Sequence, residues 1–107
     1  MRRDNYREAR HDFETALKYK PELGEAFVNK GASYLGEKEY VKAIELINRG
    51  LELGTNEAEK AYFNRGIANE RLGRLEHAYL DYRKALQLKP NWELPKYHMA
   101  RFTVEWR

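Results

Sequence analysis

Apolar side chains recur along this chain at intervals of three and four, with charged residues filling the positions between. Tyr6, Ala9, Phe13, Ala16 and Leu17 open the pattern, and Tyr40, Ala43, Ile47, Gly50 and Leu51 continue it. Leu75, Ala78, Tyr82, Ala85 and Leu86 close it. That spacing is the period of a helix whose one face is buried, and a strand would alternate every second residue. The pattern predicts helices over 4–19, 24–35, 39–53, 57–71, 75–88 and 93 to about 105. Gly36 and Gly73 mark turns between helices, and Pro95 falls in a first turn, where proline is accepted.

The same pattern is also an internal repeat. The three sets above align without gaps, the second displaced by 34 residues from the first and the third by a further 35. A second kind of helix precedes two of them, with Phe27, Gly31 and Ala32 matching Tyr62, Gly66 and Ile67 at a spacing of 35. Pro21 and Pro90 close the first and third sets at matching places, and Thr55 stands where the second should have its proline. Small residues occupy fixed places. Ala9, Ala43 and Ala78 each lie four positions before a large residue (Phe13, Ile47, Tyr82) on one helix face. A glycine inside a helix costs about 1 kcal/mol against alanine, so Gly31 and Gly66 predict close approach of a neighbouring helix. Each unit therefore reads as an antiparallel helix pair, small against large.

These residues resemble the tetratricopeptide repeat, whose pattern is W-x2-L-G-x2-Y, A-x3-F, then P. Here it reads Phe27-x2-Lys30-Gly31-x2-Tyr34 with Ala43-x3-Ile47, and Tyr62-x2-Arg65-Gly66-x2-Asn69 with Ala78-x3-Tyr82 and Pro90. The resemblance covers nearly the whole chain and implies an all-α, right-handed superhelical solenoid of about six helices. Residues 1–107 form a single domain in this reading. Residues 1–23 are the second helix of an incomplete first repeat, and 24–57 and 58–92 are full repeats. Residues 93–107 are a capping helix or the start of a further repeat, with Ala100 at the place of Gly31 and Gly66. Four departures stand out: Lys30 and Arg65 replace leucine, Asn69 replaces tyrosine, and Gly50 replaces alanine. The connection 54–57 carries one extra residue and no proline, which predicts a slightly loosened joint between the two full repeats.

Composition bounds the function. The chain has 107 residues, 42% of them apolar and 35% charged, enough for one small core. It has no cysteine, which removes disulfides, thiol nucleophiles and zinc knuckles. No apolar run is long enough to span a membrane, and the first residues do not read as a signal peptide. A cytoplasmic setting is expected, with a periplasmic or membrane-attached one left open if the chain is a fragment. The net charge is only +3. It is unevenly spread: residues 20–59 hold 5 positive and 8 negative charges, net −3, and residues 60–92 hold 7 and 3, net +4. Pairs such as Glu39–Lys42 and Asp81–Lys84 read as ordinary surface pairs, worth tenths of a kcal/mol each.

Catalytic chemistry is thin. His11, His77 and His98 lie on different helices, without the spacing of a metal site, and Ser33 is the only serine. No phosphate-binding glycine loop exists, so no enzyme, metal or cofactor is expected. The resemblance implies instead a concave groove lined by the first helix of each pair. Carried over by position, that surface holds Glu25, Val28, Asn29, Ala32 and Leu35, then Lys60, Phe63, Asn64, Ile67 and Arg71, then Tyr97, His98 and Arg101. Val28, Phe63 and Tyr97 are expected as an apolar line. Asn29 and Asn64 offer a donor and an acceptor each to a peptide backbone. Lys60, Arg71 and Arg101 favour an acidic or carboxylate-ended partner. Some members of the family clamp a C-terminal carboxylate; Asn29 and Lys60 match two of the clamp's positions, and Asn64 stands where its arginine would be. The low net charge, and Glu25 and Glu70 beside the asparagines, argue against RNA. Trp92 and Trp106 flank the last helix and are expected to pack it against the preceding repeat.

The reading is a non-catalytic scaffold or adaptor that holds a short segment of another protein. The alternative is self-assembly, with the incomplete ends pairing between copies through Tyr6, Phe13, Leu17 and Trp106. A fragment of a longer array, an irregularly capped short protein and such pairing all remain open at this level.

Overall fold

A computed structural model of the chain describes residues 23–102. Those residues form five α-helices and no strand: α1 (Gly24–Gly36), α2 (Tyr40–Glu52), α3 (Ala58–Arg71), α4 (Leu75–Leu88) and α5 (Glu93–Ala100). The helix expected over 4–19 lies outside the described residues. Short turns fold α1 onto α2 and α3 onto α4 as antiparallel pairs, while α2–α3 and α4–α5 contacts stack one pair on the next. The result is a solenoid of helix pairs.

Each pair is built by the small-against-large logic of its sequence. Ala43 and Ile47 on α2, and Ala78, Tyr82 and Ala85 on α4, are fully buried. A Cβ added to Gly31 would lie 2.7 Å from Ile47 Cγ1, and one added to Gly66 would lie 2.7 and 2.8 Å from the Tyr82 ring. Removing those Cβ atoms lets the ridge of one helix seat in the groove of the other. Each large side chain so buried contributes roughly 1.5–3 kcal/mol.

Three helices end in the same way. At Lys38, Gly54 and Gly73 the backbone turns left-handed, with φ of 67°, 80° and 80°. The next residue's N–H then reaches back over the last turn: Glu39 to the Tyr34 carbonyl (3.0 Å), Thr55 to Gly50 (3.2 Å) and Arg74 to Asn69 (2.8 Å). This arrangement satisfies carbonyls that a helix end leaves open. Gly36, expected to mark a turn, is the last residue of α1; Lys38 takes the left-handed position that Gly73 fills 35 residues later.

The joint between the two full repeats is stitched rather than loosened. Thr55 is buried, and its hydroxyl accepts the Glu57 N–H at 3.0 Å. Glu25 on α1 accepts from the Asn56 backbone N–H at 3.1 Å and its side-chain amide at 3.5 Å. Gly24 and Gly50 bring α1 and α2 together; a Cβ on Gly24 would lie 2.7 Å from the Gly50 carbonyl oxygen. The extra residue and missing proline are thus absorbed by hydrogen bonds.

Helix α5 is shorter than its periodicity implies. It stops at Ala100, where the N–H groups of Arg101 and Phe102 bond back to His98 and Met99 at 3.3 and 2.9 Å. Phe102 is buried in the core against Tyr79 and Tyr82, with ring centroids 6.1 and 6.2 Å apart. The repeat register nonetheless persists. Pro95 is buried at the place of Ala26 and Ala61, and Phe102 at the place of Ser33 and Ala68. Ala100 is exposed, unlike Gly31 and Gly66.

Candidate functional site

The first helices α1 and α3 bring Asn29 and Asn64 to equivalent places. Asn29 is exposed and Asn64 half-buried, and neither side chain makes a hydrogen bond with the described residues. An exposed Lys60 lies one turn before Asn64 and meets Glu57 at 3.3 Å, an exposed pair worth little. Arg71 is exposed and forms no ion pair among the described residues. Ala32, Leu35 and Ile67 are half-buried. Glu25 is committed to the joint described above.

The apolar line expected across this surface is not there. Val28 is 1% exposed and packs with Ile47, Ala61 and Leu51 in the core. Phe63 is 8% exposed, between Trp92 (4.8 Å), His98 (5.6 Å) and Tyr82 (5.7 Å). Only Tyr97, at 65%, stands in solvent. The reason is stacking: at this repeat position each side chain is covered by the unit that follows. Trp92 packs as its place in the sequence suggests. Tyr6, Phe13, Leu17 and Trp106 lie outside the described residues.

His98 and Arg101 are engaged rather than free. The His98 ring stacks on Tyr82 with centroids 5.0 Å apart. Arg101 Nη2 lies 2.5 Å from Glu70 Oε2 and 2.6 Å from His98 Nδ1. Tyr82 donates its hydroxyl to Glu70 Oε1 at 2.7 Å. Glu70 Oε1 also lies 3.4 Å from His98 Nδ1, but that nitrogen cannot accept from Arg101 and donate to Glu70 at once. The His98 pKa is lowered, chiefly by burial and further by the Arg101 charge, which outweigh Glu70. A neutral ring with Nδ1 as acceptor and the proton on Nε2 takes the Arg101 bond and leaves Glu70 to Arg101 and Tyr82. Burial first, and then the bond to Glu70, push the Tyr82 phenol well above its ordinary range, so it stays a donor. Ile67, Glu70, Arg71, His98 and Arg101 together line a cavity of about 320 Å³.

A second polar cluster lies between α2, α3 and α4. Arg65 Nε and Nη2 donate to the two Asp81 oxygens at 3.0 and 2.7 Å, and its Nη1 donates to Asn48 Oδ1 at 2.8 Å. The Asn69 amide completes Asp81 at 3.1 Å. The Asp81 bond in turn raises the Arg65 pKa above its ordinary value. Asp81 is therefore a buried partner of Arg65 rather than a surface partner of Lys84. Two departures from the repeat pattern, Arg65 for leucine and Asn69 for tyrosine, lie four residues apart on one helix face. They share a single carboxylate across the pair. Their joint departure was the signal that could have exposed the cluster.

Among the described residues no group of His, Asp and Glu side chains could hold a metal ion, and no helix is long and apolar enough to cross a membrane. Over 71 residues the chain is 35% identical to the UDP-N-acetylglucosamine–peptide N-acetylglucosaminyltransferase of Giardia intestinalis, a match covering 66% of this chain and 5% of that protein. Over 73 residues it is 37% identical to the Homo sapiens peptidyl-prolyl cis-trans isomerase FKBP4, covering 68% of this chain and 16% of that protein. The chain thus spans a small part of these relatives. Among solved structures, the Arabidopsis OM64 TPR domain superposes with a TM-score of 0.86 at 26% identity, covering 92% of this chain and 80% of that one. The first TPR of Spaghetti (RPAP3), bound to the HSP90 peptide SRMEEVD, superposes at 0.87 with 25% identity, covering 95% and 80%. The tetratricopeptide repeat profile matches residues 1–58 and again 59–91. With the stacked helix pairs and the glycine seats at Gly31 and Gly66, this establishes that the chain belongs to the tetratricopeptide repeat family.

Proposed function

We propose that this chain is a non-catalytic interaction scaffold, acting in the cytoplasm, that holds a short acidic segment of a partner protein along the surface of α1, α3 and α5. The observation that carries the reading is the pair Asn29 and Asn64. They are two amides with no hydrogen bond among the described residues, at equivalent repeat positions one helix pair apart, with Lys60 one turn before Asn64 and Arg71 two turns after it. Unengaged amides at a repeating interval suit an extended backbone, which presents a donor and an acceptor at each residue. The similar RPAP3 domain carries a peptide with two glutamates and a terminal aspartate, which supports an acidic ligand class. The test is calorimetric titration with the peptide SRMEEVD. Asn29→Ala with Asn64→Ala is expected to weaken binding at least about tenfold and leave the helix content unchanged. Unaltered binding by that variant overturns the reading. Phe63 is no substitute as a probe, because its loss opens the core.

The exposed Leu94 and Tyr97 on α5 favour a second reading, association between copies through the chain's ends. A monomer mass by light scattering across a hundredfold concentration range refutes it.

A further inference from the structure

Two ion pairs that α3 makes differ in kind. Arg65 grips Asp81 through two parallel bonds, with the aspartate only 6% exposed. Arg101 meets Glu70 through a single nitrogen, and the two side chains are 45% and 18% exposed. The first pair lies between three helices and borders a cavity of its own, but its carboxylate is held by both Arg65 and Asn69. The second opens on the 320 Å³ cavity that also holds Arg71 and Ile67.

Three features make the second pair exchangeable. Arg101 lies at the end of α5, one residue past its last helical position, with its side chain 45% exposed. Its guanidinium has donors left after Nη2 is used. Glu70 keeps the Tyr82 hydroxyl as a separate partner, so it is not stranded when Arg101 leaves. A carboxylate entering the cavity would meet Arg71, which has no ion partner among the described residues, and Arg101, which Glu70 already pairs.

We propose that Glu70 is an internal competitor: in the free chain it occupies the Arg101 guanidinium that a carboxylate of the bound acidic segment takes over. Glu70 thereby sets how tightly, and how selectively for charge, that segment is held at the Arg71–Arg101 cavity. The inference rests on the groove reading above and assigns to Glu70 and Arg101 a role in it. The exchange moves no proton. Arg101 trades one carboxylate for another, and the cost is the repulsion between Glu70 and the incoming group.

The experiment measures binding of fluorescein-labelled SRMEEVD, and of the same peptide with both glutamates changed to glutamine, by anisotropy at low and high salt. Glu70→Gln keeps the acceptor for Tyr82 and removes the charge. It is expected to bind the acidic peptide about five- to tenfold more tightly than the unaltered chain at low salt. That gain should shrink at high salt and be much smaller for the glutamine peptide. Arg101→Gln should weaken binding and cancel the gain in the Glu70→Gln, Arg101→Gln double variant. Glu70→Asp retracts the carboxylate by one methylene and should fall between, which keeps the test open if Glu70→Gln folds poorly. Binding by the unaltered chain with no gain in either Glu70 variant overturns the competitor and leaves the groove standing. Binding by Glu70→Gln alone supports the competitor. Silence from every form overturns both readings.

Discussion

Replacing Arg65 by leucine restores the residue that the repeat pattern usually has at this place, yet it should be among the more damaging single changes in the chain. In the unaltered protein the Arg65 side chain is 26% exposed and that of Asp81 6%. Arg65→Leu leaves a buried anion with one amide donor, Asn69. Removing one partner of a buried pair costs about 3–5 kcal/mol, mostly from the charge left without compensation. The remaining Asn69 bond and slight exposure of the site place the expected loss at about 3 kcal/mol. Asp81→Ala should cost less, about 2 kcal/mol. The orphaned Arg65 still bonds Asn48, sits over the Tyr62 ring at 5.3 Å and can turn toward water.

The double variant is the decisive comparison. With leucine at 65 and alanine at 81 no charge is buried, and the loss should be about 2 kcal/mol rather than the roughly 5 kcal/mol that independent sites would give. Urea denaturation followed by far-ultraviolet circular dichroism reads all three differences, provided the slopes stay equal. A domain of this size has roughly 5–15 kcal/mol of stability in total, so a 3 kcal/mol loss is readily seen. If Asp81→Ala proves as costly as Arg65→Leu, or the two losses add, the pair is not the enclosed anion site described here.

Three further outcomes follow from the geometry. Lys38→Gly should raise stability by about 0.5–1 kcal/mol and Gly73→Ala lower it by about 1 kcal/mol, read as opposite shifts in melting temperature, since both positions share a left-handed backbone. Gly66→Ala should cost about 1–3 kcal/mol in a denaturant titration, because its Cβ would press on a Tyr82 ring with no room to retreat. His98, facing Glu70, Arg71, Tyr82 and Arg101, has a folded-state pKa below its ordinary value. The unfolded chain therefore takes up its proton first, and stability should fall as pH drops below about 6.5. His98→Phe keeps the ring and should flatten that part of a melting-temperature profile between pH 8 and 5.5.

Much of the fold was legible because repetition multiplies weak signals. One Ala-x3-Ile match says little, but Ala43 with Ile47 and Ala78 with Tyr82 at a fixed spacing left one packing solution. Four of the described helices matched within a residue at each end, since the same spacing governs burial and backbone period. The end of α5 was not legible: the turn at Arg101 and Phe102 interrupts a periodicity that by itself continues. The Lys38 turn was missed for a related reason. Lysine has no special fitness for a left-handed backbone, and only its alignment with Gly73 gives the position away. In the site, Asn29 and Asn64 could be placed from the repeat alone. The state of Arg101 and His98 could not, because it depends on Glu70 and Tyr82 arriving from two other helices.

The burial of Val28 and Phe63 carries a wider consequence for where recognition resides. Both occupy one repeat position, and both would lie on the groove if each helix pair stood alone. Stacking the next pair covers them, Val28 by Ala61 and Phe63 by Trp92 and His98. Apolar area at this position therefore joins units instead of binding a ligand, and a larger or smaller residue there would alter the angle between pairs. Tyr97, the third member, is exposed on α5, whose outer face no described helix covers. Polar residues one step along, Asn29 and Asn64, are turned off the joint and are not consumed by it. Affinity in such an array must come chiefly from hydrogen bonds and charge placed on an apolar frame, and so it should weaken steeply with salt. A bound segment that held on equally at low and high salt would instead be gripping apolar surface, of which this repeat position leaves only Tyr97 exposed.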